Sequence, residues 1–550
     1  MDDGVLTALL LGPLVAGAAL FASLQQSEHS SSLPSEEHPL AWLIDSPLVL
    51  NPSVQPLDAL VRSRRYLIQL TTLCSAALLV HLCTSRWTWR DGYTSKSEGT
   101  RTWYFIWFST LVAGALFTLK RILRAFEIFV WTDLSTFDIV VILLFYQLSL
   151  YVMVRLGRRA FTLGELGAVG HGATAMFMET VYLTSAKIWP VTTLYVKTFR
   201  LPTPLLTFQL ALIPGAFLTG FLLSPLLVLS RNIAQKPYRR LRLPHEKLFH
   251  QRALAAGFYV LAAAIVAVIV GSWTQWCLGG QNPWKWVVLY IFEGRRNWSR
   301  VALLGYWGLL GTISVGAWER QLAKARKYRQ EGTASGAVDA GEKDASLLSV
   351  NGRRKFFHAL AVMMFAPGIA FDPAFAHLSF SVAFSLFIFV EYVRYFALYP
   401  FGASVHLFMN EFLDEKDGGT VILSHFYLLT GCAGSVWLEG PSRILALTGV
   451  LVLGVGDSLA SVVGKRHGRH RWSASTPKTI EGSVAFATCV LASAWLLSVF
   501  GLVESFSIPR YALAVGFGSV LEALSLQNDN LVLPFFTWSM LVLLRAVTGT

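Results

Sequence analysis

Charge is what this sequence has least of. Asp, Glu, Lys and Arg together make up 14% of its 550 residues, against about a quarter in a soluble globular chain. So few charged groups cannot clothe the surface of a soluble enzyme of this size. Cysteine is scarce too. Cys74, Cys83, Cys277, Cys432 and Cys489 are odd in number and lack a CxxC spacing, which excludes a disulfide-built scaffold and a paired-cysteine zinc site. Also missing are the GxxxxGK[ST] phosphate loop, the kinase HRD and DFG pair, the GxSxG elbow and the HExxH helix. Any nucleotide must therefore be held by another device.

What the chain has instead is apolar length. It is 54% hydrophobic, with a mean hydropathy of +0.51, and it repeats apolar runs of about 18 residues or more, each long enough to cross a hydrocarbon core as a helix. They fall near 5–24, 66–84, 103–120, 137–156, 203–229, 253–278, 301–318, 356–371, 375–398, 421–438, 444–463, 484–501, 510–526 and 531–547. The stretch 161–185, carrying Glu165, His171 and Glu179, is more polar and suited to the membrane interface. The expectation is an all-α polytopic membrane protein with about fifteen transmembrane helices, between 13 and 17. The run at 5–24 has no basic residues before it and reads as an anchor more than a cleaved signal. The net charge of +13 fits basic residues crowding helix ends at anionic headgroups, so nucleic acid is not an expected partner.

One polar break divides the chain. Arg320, Lys324, Arg326, Lys327 and Arg329 lead into a Gly, Ala, Ser and acidic stretch of the kind that forms a flexible aqueous linker. The division expected is an N-terminal multi-span region at 1–318, a flexible cytosolic linker at 319–352 and a C-terminal helical membrane domain at 353–550. The basic block at 231–252 and this linker lie two spans apart, so one orientation puts both in the cytosol. Carried forward, it gathers 353–355, 399–420, 464–483 and 527–530 on that same face. Basic clusters in the N-terminal half fall on both sides and leave its topology open. Asn297-Trp298-Ser299 is a glycosylation sequon, though it abuts a span.

Ionisable residues inside spans are costly and so point to function. The densest case runs from Gly454 to Trp472. Gly456, Ala460 and Gly464 form a ridge of small residues that lets a second helix approach closely. Asp457, Ser461 and Lys465, four apart, stack on a neighbouring stripe. The plain alternative is that Asp457 makes only an interhelical hydrogen bond. Beyond it come Lys465, Arg466, Arg469, Arg471 and Lys478, with Gly464 and Gly468. Cations and backbone amides beside a carboxylate that holds a hard divalent metal are the parts phosphoryl transfer needs, although basic residues at a cytosolic helix end also serve topology. Lys355 and His358, three apart, can point at one interfacial spot. Glu391 and Arg394, also three apart, can pair within a helix or organise a site. Glu522, Ser525 and Asp529 lie on one stripe running into Asn528-Asp529-Asn530, a set suited to a metal, a base edge or a short turn.

Arg354-Lys355-Phe356-Phe357-His358, Glu391 to Tyr395, Gly456 to Trp472, Lys478-Thr479-Ile480-Glu481-Gly482 and Asn528-Asp529-Asn530 together resemble the dolichol kinase family, which includes phytol kinases and CTP-dependent diacylglycerol kinases. The resemblance covers roughly 350–550. It implies transfer of the γ-phosphate of CTP to the terminal hydroxyl of dolichol, giving dolichyl phosphate for glycosylation, at the cytosolic face of the endoplasmic reticulum membrane. It also implies a CTP-binding region at Gly456, Asp457, Ser461, Gly464, Gly468, Trp472, Lys478 and Thr479, with Arg354, Lys355, Arg394, Asn528 and Asn530 contributing. The loop from Trp472 to Lys478 is richer in Ser and Thr than the family pattern.

The residues and the resemblance meet in one expectation. Dolichol keeps its hydroxyl near the headgroup plane and CTP stays in water, so the reaction belongs where helix ends bear polar groups. Asp457, with Glu481 or Asp529, is expected to hold Mg²⁺, and Lys478 and Arg354 to neutralise developing charge. Asp457, Glu391 and His358, in that order, are candidates to take the hydroxyl proton. Three alternatives stand beside this: the same chemistry on phytol or diacylglycerol, a phosphatidate cytidylyltransferase, whose Asp-rich C-terminal signature is absent, and a transporter, which should show two similar halves and midplane polar residues.

Overall fold

The computed structural model describes residues 4–31, 56–90, 98–157, 160–189, 203–235, 244–293, 298–335, 350–410, 421–474, 476–525 and 527–547. Among them every regular element is a helix, and extended backbone pairs only at isolated bridges, Arg471 with Thr479 and Phe506 with Val547. The N-terminal part comprises α1 (Val5–Ser31), α2 (Pro56–Arg90), α3 (Glu98–Ala125), α4 (Thr136–Gly157), α5 (Leu163–Ile188), α6 (Pro204–Leu222), α7 (Ser224–Gln235), α8 (Pro244–Ala264), α9 (Gly271–Cys277), α10 (Pro283–Phe292) and α11 (Ser299–Ser335). The C-terminal part comprises α12 (Val350–Phe371), α13 (Pro373–Tyr395), α14 (Gly402–Asn410), α15 (Ser424–Trp437), α16 (Arg443–Val450), α17 (Ser458–His467), α18 (Ile480–Val499), α19 (Ile508–Leu524) and α20 (Asp529–Leu543). Wider π-helical turns at Ile265–Val270 and Leu451–Asp457 join α8 to α9 and α16 to α17.

Ten of the described helical stretches are long and apolar enough to cross a membrane, with two shorter apolar helices at Lys355–Phe371 and Asp529–Leu543. This is fewer than the fifteen expected from hydropathy. The predicted spans at 421–438, 510–526 and 531–547 become helices of 14, 17 and 15 residues. A window of apolar residues counts the buried loop residues at a helix end along with the helix. The stretch 161–185 forms α5, opened by a Thr162/Glu165 capping box and packed against α1, α2 and α4; it is not among the ten described stretches with the length and hydropathy of a span. Within the expected linker at 319–352, α11 runs on to Ser335 and α12 starts at Val350; residues 336–349, like Asn297 of the sequon, lie outside the described residues.

Packing between these helices relies on small residues, as it must where lipid offers no hydrophobic drive for association. A methyl group on Gly167 would sit 2.7 Å from the Ala8 Cα, so α1 and α5 touch backbone to backbone. The ridge of Gly456, Ala460 and Gly464 does seat another helix. A Cβ on Gly456 would meet Phe486 at 2.8 Å, and one on Gly482 would lie 3.0 Å from the Ala460 carbonyl oxygen, both contacts with α18. On the other side of the same span, Gly454 admits Val362 of α12. Around these contacts lies the largest core, including Leu447, Val450, Leu453, Phe486, Val490 and Trp538.

Helix α15 is gripped from both sides. A Cβ on Gly449 of α16 would come within 2.0 Å of the Gly431 carbonyl oxygen, and one on Gly431 within 2.1 Å of the Asn530 carbonyl oxygen. Neither obstacle is a side chain that can swing aside. Gly449→Ala is therefore expected to destabilise the bundle by about 1–3 kcal/mol, read as a lowered midpoint in tryptophan-monitored thermal unfolding of the solubilised protein. An unchanged midpoint would contradict the close approach. Finally, α1 packs along α20 and α6 along α13, so the N-terminal helices reach the C-terminal ones directly.

Candidate functional site

Asp457 is the last residue of the π turn and lies where α17 begins. Two residues of α12 meet it. Lys355 Nζ is 2.5 Å from Asp457 Oδ2 and 3.0 Å from its carbonyl oxygen. His358 Nδ1 is 3.1 Å from both Asp457 Oδ2 and the Leu453 carbonyl oxygen. The predicted pairing of Lys355 and His358 on one face holds. Lys465, four and eight residues on from Ser461 and Asp457, is exposed, and the cation on Asp457 comes from α12.

Asp457 is one of three acids whose carboxylate oxygens lie within 4.8 Å of one another; the others are Glu522 and Asp529. Glu522 sits near the end of α19 and is 5% exposed. Asp529 opens α20, whose first turn is capped by the Asn528 side chain accepting from the Asn530 amide at 3.0 Å. The stripe expected from Glu522 through Ser525 to Asp529 is not one continuous helix: α19 stops at Leu524, and the turn brings Glu522 and Asp529 together. Lys478 joins this pair. Its Nζ donates to Glu522 Oε1 and, at 3.1 Å, to Asp529 Oδ2. Burial works against the ammonium, but Asp529 and Glu522 outweigh it and hold the Lys478 pKa above the ordinary lysine value.

Lys478 is delivered by a strap between α17 and α18. The Trp472 amide donates to the Lys478 carbonyl at 3.2 Å and the Ile480 amide to that of His470 at 2.8 Å, an antiparallel turn of chain closed by the Arg471 to Thr479 bridge. Thr479 caps α18 by accepting from the Gly482 amide at 3.2 Å. Its side chain also fills the space over Gly464 and Gly468, where a Cβ would meet it at 2.9 and 2.6 Å. The indole of Trp472 donates to Ser483 Oγ at 2.9 Å while its ring stays partly exposed.

Other residues singled out in sequence have different places. Glu481, expected beside the metal, turns away to His470, accepting from its Nδ1 at 2.7 Å and its amide at 3.1 Å. Glu522 stands in the acidic group instead. The sequence sets Glu522 on a stripe with Asp529 suited to a metal but gives no sign of its contact with Lys478, which comes from a distant segment. Glu391 and Arg394 form their own buried pair, with Arg394 Nε donating to Glu391 Oε2 at 2.7 Å, Arg394 Nη2 reaching Oε1 and the Ile422 amide donating to Oε1 at 3.2 Å. Both Glu391 oxygens are thus engaged, and Glu391 is outside the three-acid group. Asn530 is buried against α15. Ser461 is half-buried on α17. Arg354 belongs to α12, and its side chain lies outside the described residues. Two hydroxyls escaped notice: Ser458 Oγ, next to Asp457, and Thr476 Oγ1, in the strap, are buried without a hydrogen-bond partner among the described residues.

Three acids and two ammonium groups, with exposed Lys465, Arg466, Arg469 and Arg471 nearby in the chain, are groups of the kinds that hard cations and polyanions favour. The comparisons with known proteins agree in direction. A sequence model described as dolichol kinase matches residues 136–487. Dolichol kinase sec59 of Schizosaccharomyces pombe is 37% identical over 286 residues, 51% of this chain and 54% of that protein. Dolichol kinase EVAN of Arabidopsis thaliana is 30% identical over 390 residues, 70% of this chain and 64% of that protein. The dolichol kinase of Homo sapiens is 32% identical over 302 residues, 52% of each chain. The chain thus spans between about half and two-thirds of the length of these relatives. No solved structure matches it.

Proposed function

The chain belongs to the dolichol kinase family, and on that premise we propose that it transfers the γ-phosphate of CTP to the terminal hydroxyl of dolichol. The products are dolichyl phosphate, a carrier lipid for glycosylation, and CDP. The observation that carries the reading is the convergence of Asp457, Glu522 and Asp529 with Lys355 and Lys478 at one end of the helix bundle. We assign the catalysis to 353–550 and place the site at the cytosolic face of the endoplasmic reticulum membrane, where a water-borne nucleotide and a headgroup-level hydroxyl meet.

The donor set fits Mg²⁺, because three carboxylates within 4.8 Å of one another are hard oxygen ligands of the kind that ion prefers. Asp457 and Asp529 would hold it, with Glu522 completing the set. Bound there, the ion would neutralise charge on the transferring phosphate. The remaining work belongs to side chains. Lys478 and Lys355 offset negative charge on the phosphates at fixed positions. The Trp472 ring, its N–H already engaged with Ser483, offers a face to the cytosine. As the alcohol oxygen bonds to the γ-phosphorus, the bond to the β-phosphate oxygen breaks and CDP departs. The hydroxyl proton passes to a carboxylate of the group, with Asp457 first in order.

The test offers membranes containing the protein γ-labelled CTP or ATP, with dolichol, phytol or diacylglycerol added separately. The expected result is label on dolichol from CTP and at least tenfold less from ATP or onto the other two lipids. Label on phytol or diacylglycerol in preference would change the acceptor. No label on any lipid would overturn the reading.

A further inference from the structure

One buried acid outside this group reaches its scaffold. Glu165, at the third position of α5, is 4% exposed. Its Oε1 accepts from the Asn528 backbone amide at 3.1 Å, and its Oε2 from the Thr162 amide at 3.0 Å and the Tyr427 hydroxyl at 3.2 Å. Its neighbours fix the adjoining residue as well. Thr162 Oγ1 donates to Gln527 Oε1 at 2.6 Å, and the same Gln527 side chain fills the space over Gly4 and Gly164, where a Cβ would lie 2.6 and 2.4 Å from it. Residues 527 and 528 are the turn that ends at Asp529, and Asn528 caps the helix Asp529 begins.

A buried carboxylate is costly unless its lone pairs are filled, and here three donors fill them. Two belong to elements distant in sequence, α15 and the turn before α20. The capping box alone explains the Thr162 contacts but not the reach to Asn528. We propose that Glu165 is a positioning residue for Asp529. In this arrangement the N-terminal helices supply part of the site's frame: α1 and α5 close over Gln527, and the Glu165 carboxylate fixes where the Asn528 backbone lies and so where Asp529 points. The inference rests on the reading of Asp529 as a ligand of the divalent ion, and its test reads ion binding apart from catalysis.

The experiment measures Mn²⁺ binding to the purified full chain by electron paramagnetic resonance, alongside phosphoryl-transfer kinetics. Glu165→Ala is expected to raise the half-saturating Mn²⁺ concentration at least tenfold and lower kcat at least tenfold, with KM for the lipid unchanged. Glu165→Gln, which keeps a carbonyl oxygen for the Asn528 amide, should fall between Ala and wild type. Wild-type Mn²⁺ binding in a folded Glu165→Ala protein would overturn the proposal. If the Ala variant does not fold, Glu165→Gln carries the test: a two- to fivefold weaker Mn²⁺ affinity supports positioning and an unchanged one overturns it. Weakened Mn²⁺ binding in a protein that phosphorylates no lipid would keep the positioning role and remove the reaction. Absence of any Mn²⁺ binding to wild type would remove the proposal.

Discussion

Replacing Asp457 by Asn is expected to lower phosphoryl transfer by about 10³-fold or more, the scale at which preorganised charge acts in such sites. The substitution preserves size and a hydrogen-bond acceptor, so Lys355 keeps its contact with the Asp457 carbonyl oxygen and the helix keeps its path. What vanishes is the charge facing Lys355 and His358 and one of three acidic ligands. Losing one partner of a partly buried ion pair also costs stability, so the thermal midpoint should drop modestly while the protein remains inserted. Initial rates with labelled CTP and dolichol in proteoliposomes, compared at equal reconstituted protein, give the answer. Near-normal turnover would sink the assignment of Asp457.

Glu522 and Glu481 allow a sharper comparison, because sequence and structure rank them oppositely. Glu522→Gln is expected to cost at least about 10²-fold in kcat, since it removes an acid from the group and leaves Lys478 with Asp529 alone. Glu481→Gln should cost about tenfold or less, mainly as a higher KM for CTP. That carboxylate holds His470 and the strap rather than the reacting phosphate, and its loss loosens the carrier of Lys478. Equal losses in the two variants, or a larger loss at Glu481, would return the ion to the strap and contradict the geometry. Side-by-side kinetics over a range of CTP concentrations separates the cases.

Much of this arrangement is legible in the sequence, for identifiable reasons. An acid in an apolar span advertises its own cost, so Asp457 stands out, and a lysine beside a turn with a second acid makes Lys478 stand out. The small-residue ridge at Gly456, Ala460 and Gly464 is local in sequence and finds its partner helix as expected. What escapes is pairing across distance. Nothing near Lys355 says that its acid is 102 residues away, and nothing near Glu522 says that Lys478 will reach it. Local rules also misassign a partner: proximity in sequence places Glu481 with Asp457, whereas the fold turns it to His470. The count of about fifteen crossings is not confirmed: ten described stretches have the length and hydropathy of a span, while α15, α19 and α20 are 14, 17 and 15 residues long. Glu165 looked merely polar, since its justification lies in the turn at Asn528.

The π turn at Leu451–Asp457 has a consequence for how this span tolerates change. A wide turn inserts one residue without adding a rung to the hydrogen-bond ladder, so the two halves of the helix run out of phase by about 100°, one residue's rotation. Before the insertion, α16 is enclosed by core on nearly every side; after it, α17 presents Gly464 to the strap and keeps one flank exposed. Removing a single residue between 451 and 456 would bring the halves back into step and swing Asp457 off the line to Lys355. The acid's bearing is therefore set by a count of residues as much as by their identity, and length in this short stretch is a constraint in its own right.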